Sequence, residues 1–417
     1  MNHGKGNQQQ QHHQAAVVIG KCHKVSRYRS RLMRMPETKQ DPRLSILVPT
    51  FNRYGRLYRG LVYLDGISSL PEHRELFRST EIIIADGTHA ATEGSHETVL
   101  RRKIQSIANK LNQKTSIKFS AQPGVGLLER FSWLSSRAKG GYVTMLGDED
   151  MLVFDSLADW LDELDLRPDI AAISGQYVNL KGFQRFGSHL KILREEGLVN
   201  GVTIDADDIK DRLIQWLALG CSGIPSISYA LMRREVFLSF GRCLNGFPGA
   251  LTYCGAESLL NLLMLGAGKV AIKDMPYVIR DFTYLDHSSS IDSAWSDPVQ
   301  DNKSWNQSLH CLNAEYRCFS NVAEMNDFGD WLRRFSGFGR QGRFAMLRTI
   351  SSCQHILGEQ LRVNLSDSSW RFATLAWRST AEICYERRDL RAVGLHPFFF
   401  DSRIGRLIFS LLGSLLG

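Results

Sequence analysis

The eight cysteines of this 417-residue sequence, at positions 22, 221, 243, 254, 311, 318, 353 and 384, contain no CxxC pair and none of the spacings of a zinc ribbon or dense disulfide framework. They read as mostly buried free thiols, which places the chain in a reducing compartment. No apolar stretch reaches the roughly 20 residues that cross a bilayer. The basic N-terminal residues enclose no apolar core, so no secretory signal is expected. Arginines and lysines are not interleaved with aromatics in a stripe, which argues against a nucleic-acid partner.

What the sequence does have is length enough for one large domain and a smaller one, a formal net charge of +8 and a pI near 9.1, a balance suited to an anionic partner. Residues 1–42 carry the tract QQQQHHQ and a basic run with little to bury, and read as a disordered tail. From Arg43 the pattern changes. LSILVP predicts a strand, and Tyr54, Leu57, Leu61 and Leu64 a helix after it. EIIIAD predicts a second strand, Val99 to Leu111 an amphipathic helix, and Ile117 to Ala121 a third strand. The turn QPGVG precedes a helix from about Leu127 to Ala138, then come a strand at Tyr142 to Leu146, a helix through Leu157, Trp160, Leu161 and Leu164, and a strand near Ile170 to Val178. Strands alternating with helices at this spacing specify a right-handed, mostly parallel α/β sheet. Between 181 and 249 the period blurs, with a helix at Ile209 to Leu219 and a strand at Ile227 to Met232. A helix beginning near Glu257 and a further strand follow. Beyond about Ser290 helix-prone segments take over (329–336, 343–360, 369–388), so the expected domains are 43–290 and a mostly helical 291–417. The apolar end IGRLIFSLLGSLLG is too short to span a bilayer. It suits either a helix docked on the body or a peripheral membrane contact flanked by Arg403 and Arg406.

The stretch GYVTMLGDEDML organises the rest, because a buried strand runs straight into Asp148, Glu149 and Asp150. Open parallel sheets bind ligands at the carboxyl ends of their strands. Three acids held there repel one another unless positive charge sits among them, a need that a hard divalent cation with diphosphate oxygens would meet. The alternative is a solvated acidic turn capping the next helix, with Asp155 or Ser156 at its start. Asn52 and Arg53 follow the first strand and Asp86 ends the second, so all three strand ends converge on one crevice. A nucleoside diphosphate fits there, with Asp86 on a base N–H and Arg53 near the phosphates. Taken singly, Asn52 is a plausible helix cap and Asp86-Gly87-Thr88 an ordinary turn.

In this frame the sequence resembles the family 2 nucleotide-sugar glycosyltransferases with the GT-A fold, and the subgroup with an ADDD-like acid motif looks closest. The resemblance covers about 43–290. It is carried by LSILVPTFNR, IIIADGT, GLLERFSWLSSRAKGGYVTMLGDED and AESLLNLLMLGAGKV, in that order. It implies a Rossmann-like, mostly parallel sheet flanked by helices, and a nucleotide-sugar site of Pro49, Thr50, Asn52, Arg53, Asp86, Arg130, Asp148 and Glu149. A divalent metal, Mn2+ or Mg2+, would sit among Asp148, Glu149, Asp150 and His287, and Glu257 would be the catalytic base. Four positions depart from the family pattern. Ala85 and Gly147 stand where acids are common, Arg130 lies one residue before the usual register, now Phe131, and Ala256 precedes Glu257 alone.

The implied reaction is metal-dependent displacement at the anomeric carbon with inversion, from a UDP-sugar in preference to a GDP-sugar, onto a glycan or lipid-linked acceptor. It would serve surface polysaccharide synthesis in the cytoplasm, peripheral to the membrane if the C-terminal end makes that contact. A nucleotidyltransferase would need a glycine-rich basic loop after the first strand, which VPTFNRYGR does not supply. A catalytically silent glycan-binding or scaffold relative is the rival from another class, and the thinned acids at 85, 147 and 256 are its support.

Overall fold

The structure, a computed structural model, describes residues 41–88, 96–181, 191–194, 203–219, 227–246, 253–281, 298–330 and 372. The chain divides into two units, 1–41 and 42–417, and the description below concerns the second. Except for 41, 42 and 372, the expected tail and the helices expected at 343–360 and 369–388 fall outside the described residues.

β1 (Leu44–Thr50) leads into α1 (Tyr54–Ser68), and a 3-10 turn and α2 (Arg74–Arg78) lead to β2 (Thr80–Asp86). Then come α3 (His96–Leu111), β3 (Ser116–Ala121), α4 (Leu127–Arg137), β4 (Tyr142–Met145), β5 (Met151–Leu152), α5 (Leu157–Leu166) and β6 (Ile170–Lys181). The short strands β7 (Lys191–Arg194) and β8 (Thr203–Ile204) precede α6 (Ile209–Leu219), β9 (Leu231–Arg233), α7 (Arg234–Gly246), α8 (Tyr253–Ala267), β10 (Lys269–Asp281) and α9 (Pro298–Tyr316). Residues 322–330 are also helical.

The strands form one sheet in the order β3-β2-β1-β4-β9-β6-β10-β5, with β7 on β6 and β8 on β10. β3, β2, β1, β4, β6 and β10 run the same way. The antiparallel ladders, made by β5, β7, β8 and β9, are only two to four residues long. The mostly parallel sheet flanked by helices is therefore present. Alternation along β1 explains its two buried faces. Leu44, Ile46 and Val48 join one core with α1, α3 and α5, whereas Leu47 joins a second with α4, α7 and α8. The chain winds from β1 outward to β2 and β3, then returns to lay β4 on the other side of β1, so the strand order reverses between β1 and β4.

Three expectations need correction. The strand expected at Ile227–Met232 is reduced to Leu231–Arg233. Residues 227–230 form a turn closed by Ala230 N–H on the Ile227 carbonyl, in which the side chains of Ser228 and Tyr229 bond to acids. α8 begins at Tyr253, four residues before Glu257, so Glu257 is no acid of the first turn and gains nothing there from the helix dipole. α9 was not anticipated. Its polar first half hides the period, yet Leu309, Cys311 and Leu312 are buried in the same core as Leu259 and Leu263 of α8.

Candidate active site

The reversal point places the end of β1 beside the end of β4, and the chemistry collects there. β1 closes on Thr50, after which Asn52 takes a left-handed conformation (φ 56°), one that asparagine tolerates better than most residues. The Asn52 amide donates to Thr88 Oγ1 at 2.8 Å, and the Gly87 amide to the Thr50 carbonyl at 2.9 Å, so the loops after β1 and β2 are laced together. This turn starts α1 with Arg53 and Arg56 directed at the acids that follow β4.

Each of those acids meets an arginine. Asp148, 5% exposed, accepts from Thr50 Oγ1 at 2.7 Å and lies 3.4 Å from Arg53 Nη1. Glu149 pairs with Arg56 and, at 3.4 Å, with Arg53. Asp150, 3% exposed, accepts from the Tyr229 hydroxyl and faces Arg280, whose guanidinium lies 5.3 Å from the Tyr229 ring centre and 5.9 Å from that of Tyr177. Burial pushes the Asp148 and Asp150 carboxyls above the ordinary carboxylate range. Arg53 and Arg280 oppose the shift, while Glu149 between them adds to it. Such burial rules out a solvated acidic turn, and Met151–Leu152 separates the acids from α5, whose cap residue Ser156 makes no side-chain capping bond.

Gly147 has a physical reason. A Cβ there would stand 2.6 Å from Asp150 Oδ2, so any side chain at 147 would displace the Asp150 carboxylate. The place of a leading acid is taken by the acid three residues on.

Asp86 and Arg130 form the floor behind this cluster. Asp86, 2% exposed, accepts from the Thr88 amide at 2.9 Å and the Tyr54 hydroxyl at 2.7 Å, and Arg101 lies over the Tyr54 ring at 4.9 Å. Arg130 is 4% exposed. It donates to the Thr50 carbonyl and lies 5.5 Å from the Phe51 ring centre; burial lowers its pKa, and the charges of Asp148 and Asp86 only partly oppose that. Arg130 is directed at the Thr50 carbonyl in the site, whereas Phe131 packs in the core.

Glu257 reaches the same neighbourhood through the 227–230 turn. Ser228 Oγ donates to its Oε1 at 2.7 Å, while the next residue, Tyr229, bonds to Asp150 and accepts at its carbonyl from Thr144 of β4 at 2.9 Å. The structure thus brings together Thr50, Arg53, Asp86, Arg130, Asp148, Glu149 and Asp150, with Pro49 paired to Ala85 in the ladder below and Asn52 exposed at the rim. His287 lies outside the described residues. Arg56, Tyr54, Ser228, Tyr229 and Arg280 were missed. Arg56 alone carried a signal, since it follows Arg53 by three residues on a predicted helix and so shares its face.

Among the described residues no group of three or more His, Cys, Asp or Glu side chains is arranged to hold a metal ion. The donors nonetheless fit one chemically. Asp148 and Asp150 are hard oxygen ligands, buried and pushed toward protonation, and added positive charge would restore their ionised forms.

No protein-family model matches the chain, and no curated protein sequence does. Among solved structures it is similar to residues 1–349 of S. aureus TarS in complex with UDP-GlcNAc, at TM-score 0.47 and 14% identity over 83% of this chain and 82% of that one. It is also similar to the mannosyltransferase PcManGT from Pyrobaculum calidifontis in complex with GDP-Man and Mn2+, at TM-score 0.40 and 14% identity over 93% and 97%.

Proposed function

We propose that this chain is a metal-dependent, inverting glycosyltransferase that moves a sugar from a nucleoside-diphosphate sugar, UDP-linked in preference to GDP-linked, to a glycan or lipid-linked acceptor in surface polysaccharide synthesis. The observation that carries the reading is the buried Asp148, held by Thr50 and Arg53 where the strand order reverses, with Asp86 and Arg130 behind it. In this reading Arg53 and Arg56 exchange part of their pairing with the acids for the donor's phosphates, a geometry suited to guanidinium. Asp86 receives the imide N–H of uracil, on a carboxylate whose Oδ2 already accepts from the Tyr54 hydroxyl. Glu257 takes the proton from the acceptor hydroxyl. Asp148 and Asp150, with Glu149 and by family resemblance His287, would hold Mn2+ or Mg2+, which when bound would neutralise charge on the departing diphosphate. We place the protein in the cytoplasm. No helix among the described residues is long and apolar enough to cross a membrane. The C-terminal end that we propose as a peripheral contact lies outside the described residues.

A second reading, a silent glycan-binding relative, has one observation in its favour: all three acids already face arginines of the chain itself. Thermal shift with UDP and GDP, with and without manganese, tests both. A nucleotide at 100 times its Kd stabilises by about 2.7 kcal/mol through mass action. UDP is expected to raise Tm, more with manganese than without. The transferase reading is wrong if neither nucleotide shifts Tm under either condition.

A further inference from the structure

Two adjacent residues on one turn attend two different acids. The turn at 227–230 is fixed on three sides: Ala230 N–H closes it on the Ile227 carbonyl at 2.9 Å, Asn261 Oδ1 of α8 accepts from the Ile227 amide at 3.3 Å, and Thr144 of β4 donates to the Tyr229 carbonyl at 2.9 Å. Ile227, Ser228, Ala230 and Asn261 are all buried. From this fixed backbone Ser228 Oγ donates to Glu257 Oε1 at 2.7 Å, and the Tyr229 hydroxyl donates to Asp150. A hydroxyl on a backbone so constrained is a rigid donor, and a carboxylate that receives it is held in one rotamer.

We infer that Ser228 is the positioning residue of Glu257, and that the 227–230 turn sets the distance between the acceptor-side acid and the acid cluster on the donor side. The inference rests on the reading of Glu257 as the base. Ser228 acts through Glu257, to which its hydroxyl is bonded. It acts by holding one Glu257 oxygen so that the other is presented to the acceptor hydroxyl. The same backbone carries Tyr229 to Asp150, so a shift of the turn would move both acids together. Placement of a general base to within a fraction of an ångström governs rate more than affinity, because ground-state donor binding does not use it.

The test uses the full chain and measures nucleotide release from UDP-GlcNAc and from GDP-mannose with manganese, with water or an added glycan as acceptor. Ser228→Ala is expected to lower kcat by about tenfold to a hundredfold, the range set by losing one hydrogen bond to a charged group, while donor KM and UDP affinity stay at parental values. Ser228→Thr, which keeps the hydroxyl, should recover most of the rate. Ser228→Cys keeps the volume with a weak donor and should behave like the alanine variant, which guards against a cavity effect. Tyr229→Phe, one residue away, should instead raise donor KM and lower UDP affinity in thermal shift. Parental kcat in Ser228→Ala, with Glu257→Gln inactive, overturns the positioning role and leaves Glu257 as the base. Parental kcat in Glu257→Gln overturns both. A raised donor KM in Ser228→Ala overturns the inference by placing the turn on the donor side. A parent chain that releases nucleotide from neither donor overturns the inference together with the function it rests on.

Discussion

Replacing Asp148 and Asp150 together by asparagine separates the charge of the acid cluster from its shape. Asparagine keeps the size and still accepts from Thr50 and Tyr229 through Oδ1, but two buried negative charges vanish. Each charge-assisted bond, worth roughly 1.5–3 kcal/mol, becomes a neutral one of about 1 kcal/mol, so the loss is about 1–4 kcal/mol in total. Relief of desolvation works the other way, because holding an ionised carboxylate in a buried site costs several kcal/mol even after relaxation. Arg53 keeps Glu149 at 3.4 Å, and the buried Arg130 keeps Asp86 when Asp148 is neutralised. The lost attraction of Arg53 to Asp148 and of Arg280 to Asp150 joins the lost hydrogen-bond energy against that relief, and a net change within about 2 kcal/mol of zero is expected. At about 2–4 °C per kcal/mol that is less than about 8 °C in Tm. Nucleotide binding should behave differently. With Asp148 and Asp150 uncharged, the gain in UDP affinity on adding manganese should disappear, as read by calorimetric titration with and without the ion. If manganese still strengthens UDP binding in the double variant, the cation is not held by this cluster.

Other consequences follow from single contacts. Tyr54→Phe removes the hydroxyl that donates to Asp86 Oδ2, so UDP should bind more tightly to the variant by calorimetry where a uracil N–H competes for that acceptor; unchanged or weaker binding would show that the base does not displace Tyr54 from Asp86. Glu81 is buried and accepts from Ser45 Oγ at 2.7 Å, from the Lys139 amide at 2.6 Å and from Lys118, and these donors overcome burial to hold its pKa below the usual carboxylate value. A depressed folded pKa contributes stability that is present above the unfolded value, about 4.3, and is lost as pH falls through the folded one. Glu81→Gln should therefore flatten the acid limb of a Tm-against-pH curve below about pH 4.3, and an unaltered limb would place the acid sensitivity elsewhere. Gly140→Ala would put a Cβ 2.6 Å from the backbone of Leu44 and Ser45 in β1, which cannot move aside. A cost at or above the usual overpacking range of about 1–3 kcal/mol should appear in denaturant melts.

The parallel half of the fold was legible because its strands are buried on both faces. LSILVP, EIIIAD and YVTM read as unbroken apolar runs whose ends carry the polar residues of the site. Thr50, Arg53, Asp86 and the acids after β4 were legible for the same reason, since topology alone brings those strand ends together. The partners that neutralise the acids were not. Tyr229 and Arg280 reach Asp150 from about 80 and 130 positions away, across antiparallel insertions that leave no periodic trace. ISYALM reads as one strand because its residues are β-prone, yet its first four residues are the turn that presents Ser228 and Tyr229. α7 could have been found, since Val236, Phe237, Phe240 and Leu244 repeat at helical spacing and all are buried. The glycines at 241 and 246 read as loop signals and mask that period.

The departures from the acid pattern that the sequence resembles take on a different weight once their surroundings are known. Ala85 lies in β2 with no exposed surface, in the same apolar core as Phe131, Leu134 and Val143. A carboxylate at that position would point away from Asp86, as neighbours in a strand must, and would enter that apolar core beside an Arg130 already committed to the Thr50 carbonyl. Ala256 is buried in the same core beside Leu259 and Leu260, so a second acid before Glu257 faces the same penalty. An uncompensated buried charge costs several kcal/mol, which a marginally stable domain does not tolerate. Gly147 is vacated for the opposite reason, since the Asp150 carboxylate occupies the space its Cβ would need. The three acids after β4 each have an arginine in reach: Asp148 with Arg53, Glu149 with Arg56 and Asp150 with Arg280. Thinning of the acid pairs is therefore a property of how this core is packed, and it does not weigh in favour of a silent site.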